Sequence, residues 1–327
     1  MTGPGITAEP GGAAPITNVG FVGLGNMGIP MTQRLVAAGY HVRGYDTAQR
    51  ALDAFAGHAG PGSATPVCEL AAAGHGADAV ILMLPNSDIV ERVVLGRLVS
   101  EPATAGAGGG RPAGGLLGSL PAGAAIIDMS SSDPARTRLR AGQVAAAGVT
   151  LIDAPVSGGV SGARAGTLTV MVGGPAATVE RFRPMLEAIG KRVVHAGDAG
   201  AGHAVKALNN LMSAAHLLAS SEALIAGRRF GLDPAVMLEI INGSSGRSGS
   251  TENKWPNYVL TEKYDAGFSA GLMVKDIRLA LAIEHATGVP AVASEAVVAV
   301  WEEALAELPP DADHTAIARW LDGRAVG

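Results

Sequence analysis

The sequence is poor in cysteine, in aromatic residues and in positive charge. A single cysteine among 327 residues, Cys68, excludes an internal disulfide framework and favours a reducing compartment. Lysine and arginine number 24 against 29 acidic residues, and no basic stripe is found, so we expect no nucleic-acid partner. Because aromatic residues make up only 4% of the chain, the core must be built from Ala, Val, Leu and Ile.

Long apolar runs are lacking as well. No run approaches the roughly 18 residues of a membrane span, so we expect no membrane partner. The first residues lack the basic and apolar segments of a secretory signal, and their Gly and Pro content predicts a disordered tail over residues 1–17. These absences together favour a cytoplasmic protein.

What the chain does contain, up to about His195, is an alternation of short apolar segments with longer amphipathic ones. This alternation predicts an α/β fold, with a Rossmann-type, doubly wound parallel sheet in a domain over residues 18–199. Beyond that point only long helical periodicities are found, which predicts an all-helical domain over residues 200–327. A Gly-, Ala- and Pro-rich stretch at about 100–115 predicts a flexible insertion.

The first predicted strand runs directly into a glycine-rich loop. The segment VGFVGLGNMG carries the pattern Gly23-x-Gly25-x-x-Gly28 between a strand and a helix. The first glycine permits a tight turn, the second lets the backbone approach a pyrophosphate, and the third lets the helix pack close to the strand. Because N–H groups of the helix would then face the phosphates, the loop predicts a dinucleotide site.

The next strand ends in an acidic residue that bears on the choice of dinucleotide. The carboxylate of Asp46 can accept hydrogen bonds from the ribose hydroxyls of NAD and would repel a 2′-phosphate, so we expect NAD as the cofactor. Arg43 and Arg50 lie nearby in the sequence and leave NADP possible. The alternative for Asp46 is a solvated turn residue.

A run of small and apolar residues over 202–227 carries a lysine and an asparagine one helical turn apart. Lys206 and Asn210 share one face of the predicted helix. Oxidising an alcohol by hydride transfer needs a base, and the ordinary lysine pKa of about 10.4 is too high for a base at neutral pH. Burial and the positive end of the helix dipole would both lower this pKa. The alternative is a lysine that extends to solvent at the helix end.

Four separated motifs, in this order, resemble those of the β-hydroxyacid dehydrogenase family. They are VGFVGLGNMGIPM, DAPVSGGVSGARAGTL, GAGHAVKALNN and GLMVKD, and they span nearly the whole chain. The family includes 3-hydroxyisobutyrate dehydrogenase, tartronate semialdehyde reductase and threonate dehydrogenase, with 6-phosphogluconate dehydrogenase as a larger relative. The resemblance implies an NAD(P)-dependent oxidoreductase that interconverts a short-chain β-hydroxy acid and its semialdehyde or keto form.

The resemblance also implies roles for individual residues. Lys206 resembles the catalytic lysine, acting as general acid and base, and Asn210 resembles its substrate-orienting partner. Ser157, Gly158 and Gly159 resemble the loop that holds the substrate carboxylate. Besides the three loop glycines and Asp46, the residues that correspond to cofactor contacts are Asn26, Met27, Leu84, Pro85, Ser131 and Lys275.

Physical chemistry supports the carboxylate loop, because glycines let successive backbone N–H groups converge on an anion. A plain β-turn is the alternative there. Arg247 and Ser248 could also reach an anionic substrate, although a solvated loop fits them equally well. No residues have the spacing of a metal site, so no metal is expected.

Three further expectations concern neighbouring groups, assembly and alternatives. His203 precedes Lys206 by one helical turn, and we expect it on the helix surface rather than as a second acid. Apolar content around 217–225 and 292–301 predicts a homodimer or homotetramer.

The alternative functions are an imine reductase-like enzyme and a non-catalytic nucleotide-binding protein, and Lys206 argues against both because such relatives generally lack the lysine.

Overall fold

A computed structural model describes residues 15–98, 115–309 and 311–324. The predicted tail over 1–17 lies outside the described residues except for 15–17. The predicted insertion at about 100–115 lies outside them except for residue 115.

One sheet contains all nine strands of the described ranges. They are β1 Asn18–Val22, β2 His41–Tyr45, β3 Ser63–Pro66, β4 Ala79–Leu82, β5 Ala125–Asp128, β6 Thr150–Asp153, β7 Val156–Ser157, β8 Thr169–Gly173 and β9 Arg192–Gly197. Their order is β3-β2-β1-β4-β5-β6-β8-β7, and β9 pairs with β8. The first six strands are parallel to one another, as the sequence predicts.

The sheet departs from the prediction at one edge, where β8 pairs antiparallel with β6 and with β7. The sequence also does not predict β3, whose exposed SATP segment lacks an apolar pattern. By contrast, β4 and β5 are buried along their whole length because elements cover both faces of the sheet, which explains their continuous apolar runs.

Twelve α-helices lie in the described residues. They are α1 Gly28–Ala37, α2 Gln49–Ala56, α3 Leu70–Gly74, α4 Ser87–Leu95, α5 Pro134–Ala145, α6 Gly159–Ala165, α7 Ala176–Ile189, α8 Ala201–Phe230, α9 Pro234–Asn242, α10 Ala270–Thr287, α11 Val292–Glu307 and α12 Ile317–Arg324. Two 3₁₀ turns, Leu116–Gly118 and His314–Ala316, and a π-helix, Ser250–Val259, complete the described elements. None of the helices in the described ranges is long and apolar enough to cross a membrane.

The α/β sheet followed by an all-helical region confirms the predicted fold class. The sheet ends at Gly197 and the long helix α8 begins at Ala201, where it packs against β8 and β9. The division into domains at residue 200 stays a prediction.

The helical region has its own core, centred on α8, α10 and α11. The segments 217–225 and 292–301, from which we predicted an oligomer, contribute to this core, with Leu217, Leu224 and Trp301 almost completely buried. Within 217–225 the leucines are thus covered by their own chain, whereas Val292 is 76% exposed, and the oligomer stays a prediction. The large exposed apolar side chains of this region include Phe230 and Ile240.

Candidate active site

The glycine loop between β1 and α1 has the geometry that its sequence predicts. Gly23 has a φ of +99°, and a Cβ there would lie 2.2 Å from the carbonyl oxygen of Met83. A Cβ on Gly28 would lie 2.0 Å from the carbonyl oxygen of Gly23, so only glycine lets α1 approach the loop this closely. Beside Gly25 nothing lies within 4 Å, which leaves its backbone open to a ligand.

Asp46 lies beside this loop. Its carboxylate accepts hydrogen bonds from the backbone N–H of Leu24 at 2.7 Å and from that of Ala48 at 2.8 Å. The side chain is therefore held against the glycine loop rather than freely solvated. The guanidinium of Arg43 donates to the carbonyl of His75, and Arg50 is exposed on the first turn of α2.

A cavity of about 700 Å³ opens at the carboxyl ends of β1, β4 and β5 and reaches α8 and α10. Eight of the predicted site residues line it, namely Asn26, Met27, Leu84, Pro85, Ser131, Gly159, Lys206 and Lys275. The crevice lies where the strand order reverses, between β1 and β4, and dinucleotides bind at this position in such sheets. The three loop glycines and Asp46 do not line the cavity. The glycines belong to the same loop as Asn26 and Met27, which do line it, and Asp46 follows the end of β2 beside that loop.

A buried carboxylate on α10 connects two of the predicted residues. One oxygen of Asp276 accepts from Nζ of Lys275 at 2.7 Å, and the other accepts from Nδ2 of Asn210 at 2.6 Å. Nζ of Lys275 also donates to the carbonyl of Ser131 at 2.6 Å, which joins α10 to the turn after β5. Asp276 belongs to the GLMVKD motif, of which only the lysine has a role that the resemblance implies.

Lys206 is held in a cleft rather than extended to solvent. Its side chain is buried, with 8% of the residue exposed, and no hydrogen bond from its amine is found within the described residues. Burial lowers the pKa of Lys206, the positive charge of Lys275 lowers it further, and the negative charge of Asp276 acts in the opposite direction. Because Lys206 lies beyond the first turn of α8, where dipole effects are largest, burial explains the lowered pKa better than the helix dipole does.

A second cavity, of about 280 Å³, lies on the other side of Lys206. Ser157, Gly158 and Gly159 line one part of it, and Asn210 lines another. Lys206 and Gly159 border both cavities, so the predicted catalytic lysine separates the predicted cofactor residues from the predicted substrate residues.

The Ser157-Gly158-Gly159 turn is a strand-to-helix junction. Ser157 ends β7, Gly158 precedes α6 with a φ of +131°, and Gly159 begins α6 with a φ of +63°. Positive φ at two successive residues favours glycine at both positions. The turn aims the start of α6 at the second cavity, where backbone N–H groups are suited to an anion.

Two residues whose roles are not evident from the sequence, Asp153 and His203, hold the start of α8 in place. The carboxylate of Asp153, at the end of β6, accepts from the backbone N–H groups of Gly200 at 2.7 Å and His203 at 2.8 Å. The imidazole of His203 lies between the hydroxyl of Thr137 at 2.9 Å and the carbonyl of Ser130 at 3.0 Å. The expectation of a surface histidine was therefore wrong, because α8 buries this face against α5 and β6.

Two other candidates lie outside both cavities. Arg247 is exposed and has a carboxylate oxygen of Glu252 3.7 Å from its Nε. Ser248 forms hydrogen bonds with Thr251 in the turn that leads into the π-helix. This loop matches the solvated alternative.

Three residues of the π-helix line the second cavity without having been predicted, namely Asn253, Lys254 and Tyr258. Lys254 lines the cavity and donates from Nζ to the hydroxyl of Ser213 on α8 at 2.7 Å. Little in the sequence indicates this position, because the segment STENKWPNYV contains Pro256 and lacks a clear helical periodicity.

Comparison with known proteins identifies the family. Residues 18–197 match the family described as the NAD binding domain of 6-phosphogluconate dehydrogenase, and residues 200–321 match "NAD-binding of NADP-dependent 3-hydroxyisobutyrate dehydrogenase". A 3-hydroxyisobutyrate dehydrogenase of Pseudomonas aeruginosa is 40% identical over 275 residues, which cover 82% of this chain and 85% of that protein. The chain belongs to the 3-hydroxyisobutyrate dehydrogenase family.

Two further members of this β-hydroxyacid dehydrogenase family are similar over most of their length. A 2-(hydroxymethyl)glutarate dehydrogenase of Eubacterium barkeri is 39% identical over 276 residues, covering 83% of this chain and 84% of that protein. The structure of a Mycobacterium tuberculosis 3-hydroxyisobutyrate dehydrogenase with L-serine has a TM-score of 0.82 and 32% identity, covering 95% of this chain and all of that one. The chain is thus an NAD(P)-dependent oxidoreductase of the β-hydroxyacid dehydrogenase type, acting on a CH–OH group.

Proposed function

We propose that this chain oxidises a short β-hydroxy acid to its semialdehyde, or catalyses the reverse reduction, with Lys206 as general acid and base. The observation that carries the proposal is the position of Lys206, buried in the wall that the two cavities share and with its pKa lowered. A lowered pKa increases the fraction of neutral amine near pH 7, and the neutral amine is the form that accepts a proton.

We propose NAD as the preferred cofactor. The open space beside Gly25 and the tight packing at Gly28 support a dinucleotide on this loop. Asp46, held against the loop by the N–H of Leu24, supports NAD over NADP because its charge disfavours a 2′-phosphate. When bound, the nicotinamide ring supplies the hydride acceptor or donor.

The roles of the chain's own residues follow from their positions. Neutral Lys206 takes the proton from the substrate hydroxyl during oxidation and returns it during reduction. Asn210 is held in place by its hydrogen bond to Asp276, and the hydrogen-bonding capacity left on its side-chain amide orients the substrate. Ser157 and the following two glycines hold the carboxylate, which fixes the reacting carbon relative to Lys206 and converts part of the binding energy into orientation.

The substrate class follows from the proposed site and from the relatives. 3-Hydroxyisobutyrate, L-serine and 2-(hydroxymethyl)glutarate, which their names or titles mention, all carry a hydroxymethyl group on the carbon next to a carboxylate. We infer that this chain acts on an acid of the same type.

A substrate panel tests the proposal. Purified protein is given NAD and a series of hydroxymethyl acids, and the formation of reduced cofactor is followed by its absorbance. Replacing the carboxylate by a carboxamide should lower kcat/KM at least about tenfold, or about 1.4 kcal/mol. Turnover of cyclic imines or neutral alcohols as efficiently as hydroxy acids would refute it and favour the imine reductase alternative.

We also propose a homodimer or homotetramer in the cytoplasm. Exposed Phe230 and Ile240, on α8 and α9, support an interface on the helical region. Sedimentation at micromolar concentration tests this. If the only species found has the mass of a single chain, 32.7 kDa, the oligomer is excluded.

A further inference from the structure

The second cavity contains a cation that the proposed chemistry does not use. Lys206 and Lys254 both line it, and no Asp or Glu of the described residues does. Lys206 has to alternate between its neutral and protonated forms during the reaction. Lys254 is therefore the lysine of this cavity that is free to hold a lasting positive charge.

The surroundings of Lys254 leave its charge without a partner. Its one hydrogen bond within the described residues is to the neutral hydroxyl of Ser213, and no carboxylate there forms an ion pair with it. Asp313 attracts it from a distance, but the carboxylate of Asp313 already accepts hydrogen bonds from the N–H groups of Gly267 and Thr315. A half-buried ammonium with one neutral acceptor has donors left for an anion that enters the cavity.

The anchor of Lys254 lies away from the reacting centre. Ser213 follows Lys206 by about two turns of α8 on nearly the same face, a displacement of roughly 10 Å along the helix axis. The carboxylate turn at residues 157–159 comes from the α/β part, whereas Lys254 comes from the helical part. The cavity thus offers two anion-binding groups on different elements, with Asn210 and Lys206 near them.

We propose that Lys254 binds a second anionic group of the substrate, so that the preferred substrate is a hydroxymethyl acid with another carboxylate on its side chain. This inference rests on the proposed function, because it assumes that the turn at 157–159 holds the first carboxylate. Burial and the charge of Lys206 lower the pKa of Lys254 to about 8, while the charge of Asp313 opposes them. At pH 7 the amine is still mostly protonated.

A matched pair of substrates tests the proposal with the NAD-loaded protein. One is 2-(hydroxymethyl)glutarate, and the other is the same compound with its side-chain carboxylate replaced by a carboxamide. We expect wild type to prefer the diacid about ten- to hundredfold in kcat/KM, mainly through KM. Lys254→Gln should reduce this preference to less than about threefold, and Lys254→Arg should retain most of it.

Lys263→Gln, at an exposed lysine of the following loop, is the matched control and should leave the preference unchanged. The thermal midpoint of each variant is measured alongside, and the preference ratio is insensitive to a uniform loss of active protein. The proposal is wrong if wild type has the same kcat/KM for the two compounds. It is also wrong if Lys254→Gln keeps the preference for the diacid, including the case in which this substitution lowers kcat/KM for both compounds by the same factor.

A binding experiment separates this proposal from the proposed function. Glutarate lacks the hydroxyl and cannot react, so calorimetry on the NAD-loaded protein compares its affinity with that of glutaramate. A preference for glutarate that Lys254→Gln removes supports the second anion site even if no hydroxy acid is oxidised. Turnover of monocarboxylic hydroxy acids with no preference for glutarate would leave the proposed function intact and overturn this inference alone.

Discussion

Replacing Lys206 by methionine tests the centre of the proposed mechanism. Methionine matches the length of the lysine stem and leaves the burial of the site unchanged, so the substitution removes the proton-transfer group and little else. Positioned acid–base catalysis contributes about 10²- to 10⁴-fold, so we expect kcat to fall by that factor, about 2.7 to 5.5 kcal/mol in the barrier. NAD affinity should be retained, because the glycine loop lies on another element, between β1 and α1, and the substitution leaves it unchanged.

The pH profile gives a second measurement. In wild type, kcat/KM for oxidation should rise with pH up to the pKa of Lys206, which burial lowers below its ordinary value. Lys206→Met should lose this rise. Lys275 and Asp276 also face the amine, but they are paired with each other and remain present in the variant.

Lys206→Met should raise the stability of the fold although it lowers the activity. The folded-state pKa of Lys206 lies below the unfolded value of about 10.4, so below the folded pKa the buried ammonium destabilises the fold, and this cost disappears as the pH rises towards the unfolded value. Lys206→Met removes the cost, and its free energy of unfolding should exceed that of wild type most clearly at low pH. Denaturant unfolding at several pH values measures this.

Full turnover in Lys206→Met would refute the mechanism. His203 could not then take over, because both of its ring nitrogens are engaged by Thr137 and Ser130. Lys254 would be the next candidate. Lys191→Met, at an exposed lysine after α7, is the control and should change neither the activity nor the pH profile.

Three other substitutions test the supporting residues. Asp46→Ser should lower kcat/KM with NAD and raise the ratio of NADP to NAD use, and an unchanged ratio would show that Asp46 does not select the cofactor. Gly28→Ala should weaken NAD binding in a fluorescence titration, because its Cβ would overlap the carbonyl of Gly23; unaltered affinity would contradict this. His203→Ala removes the donor to the buried carbonyl of Ser130 and should cost about 1–3 kcal/mol in unfolding free energy, whereas the pH profile of kcat/KM should keep its shape.

The features that the sequence predicted well are those encoded by neighbouring residues. The glycine loop needs Gly23 and Gly28 for steric reasons that act within one turn, so its pattern is visible without knowledge of the fold. Lys206 and Asn210 share a helix face because they are four residues apart, and that spacing is also local.

The features that the sequence did not predict depend on distant contacts. Asp276 holds Asn210 across 66 residues, and Asp153 holds the backbone of His203 across 50. His203 looked like a surface residue because nothing in its own helix shows that α5 covers it. The position of Lys254 depends on a π-helix, and that local geometry has no strong sequence signal.

The way Asp276 distributes its hydrogen bonds explains how one site can contain two lysines with the different tasks that we propose for them. Its two oxygens are taken by Lys275 and Asn210, so Lys275 stays a paired cation that joins α10 to the turn after β5. Lys206 has no direct ion pair among the described residues, so in the proposed mechanism it stays available for proton transfer. If Asp276 were paired with Lys206 instead, the attraction would raise the pKa of that amine and remove the neutral form that a base requires. The pairing of Lys275 and the proposed reactivity of Lys206 therefore depend on the same carboxylate, that of Asp276. In the GLMVKD motif this residue directly follows Lys275.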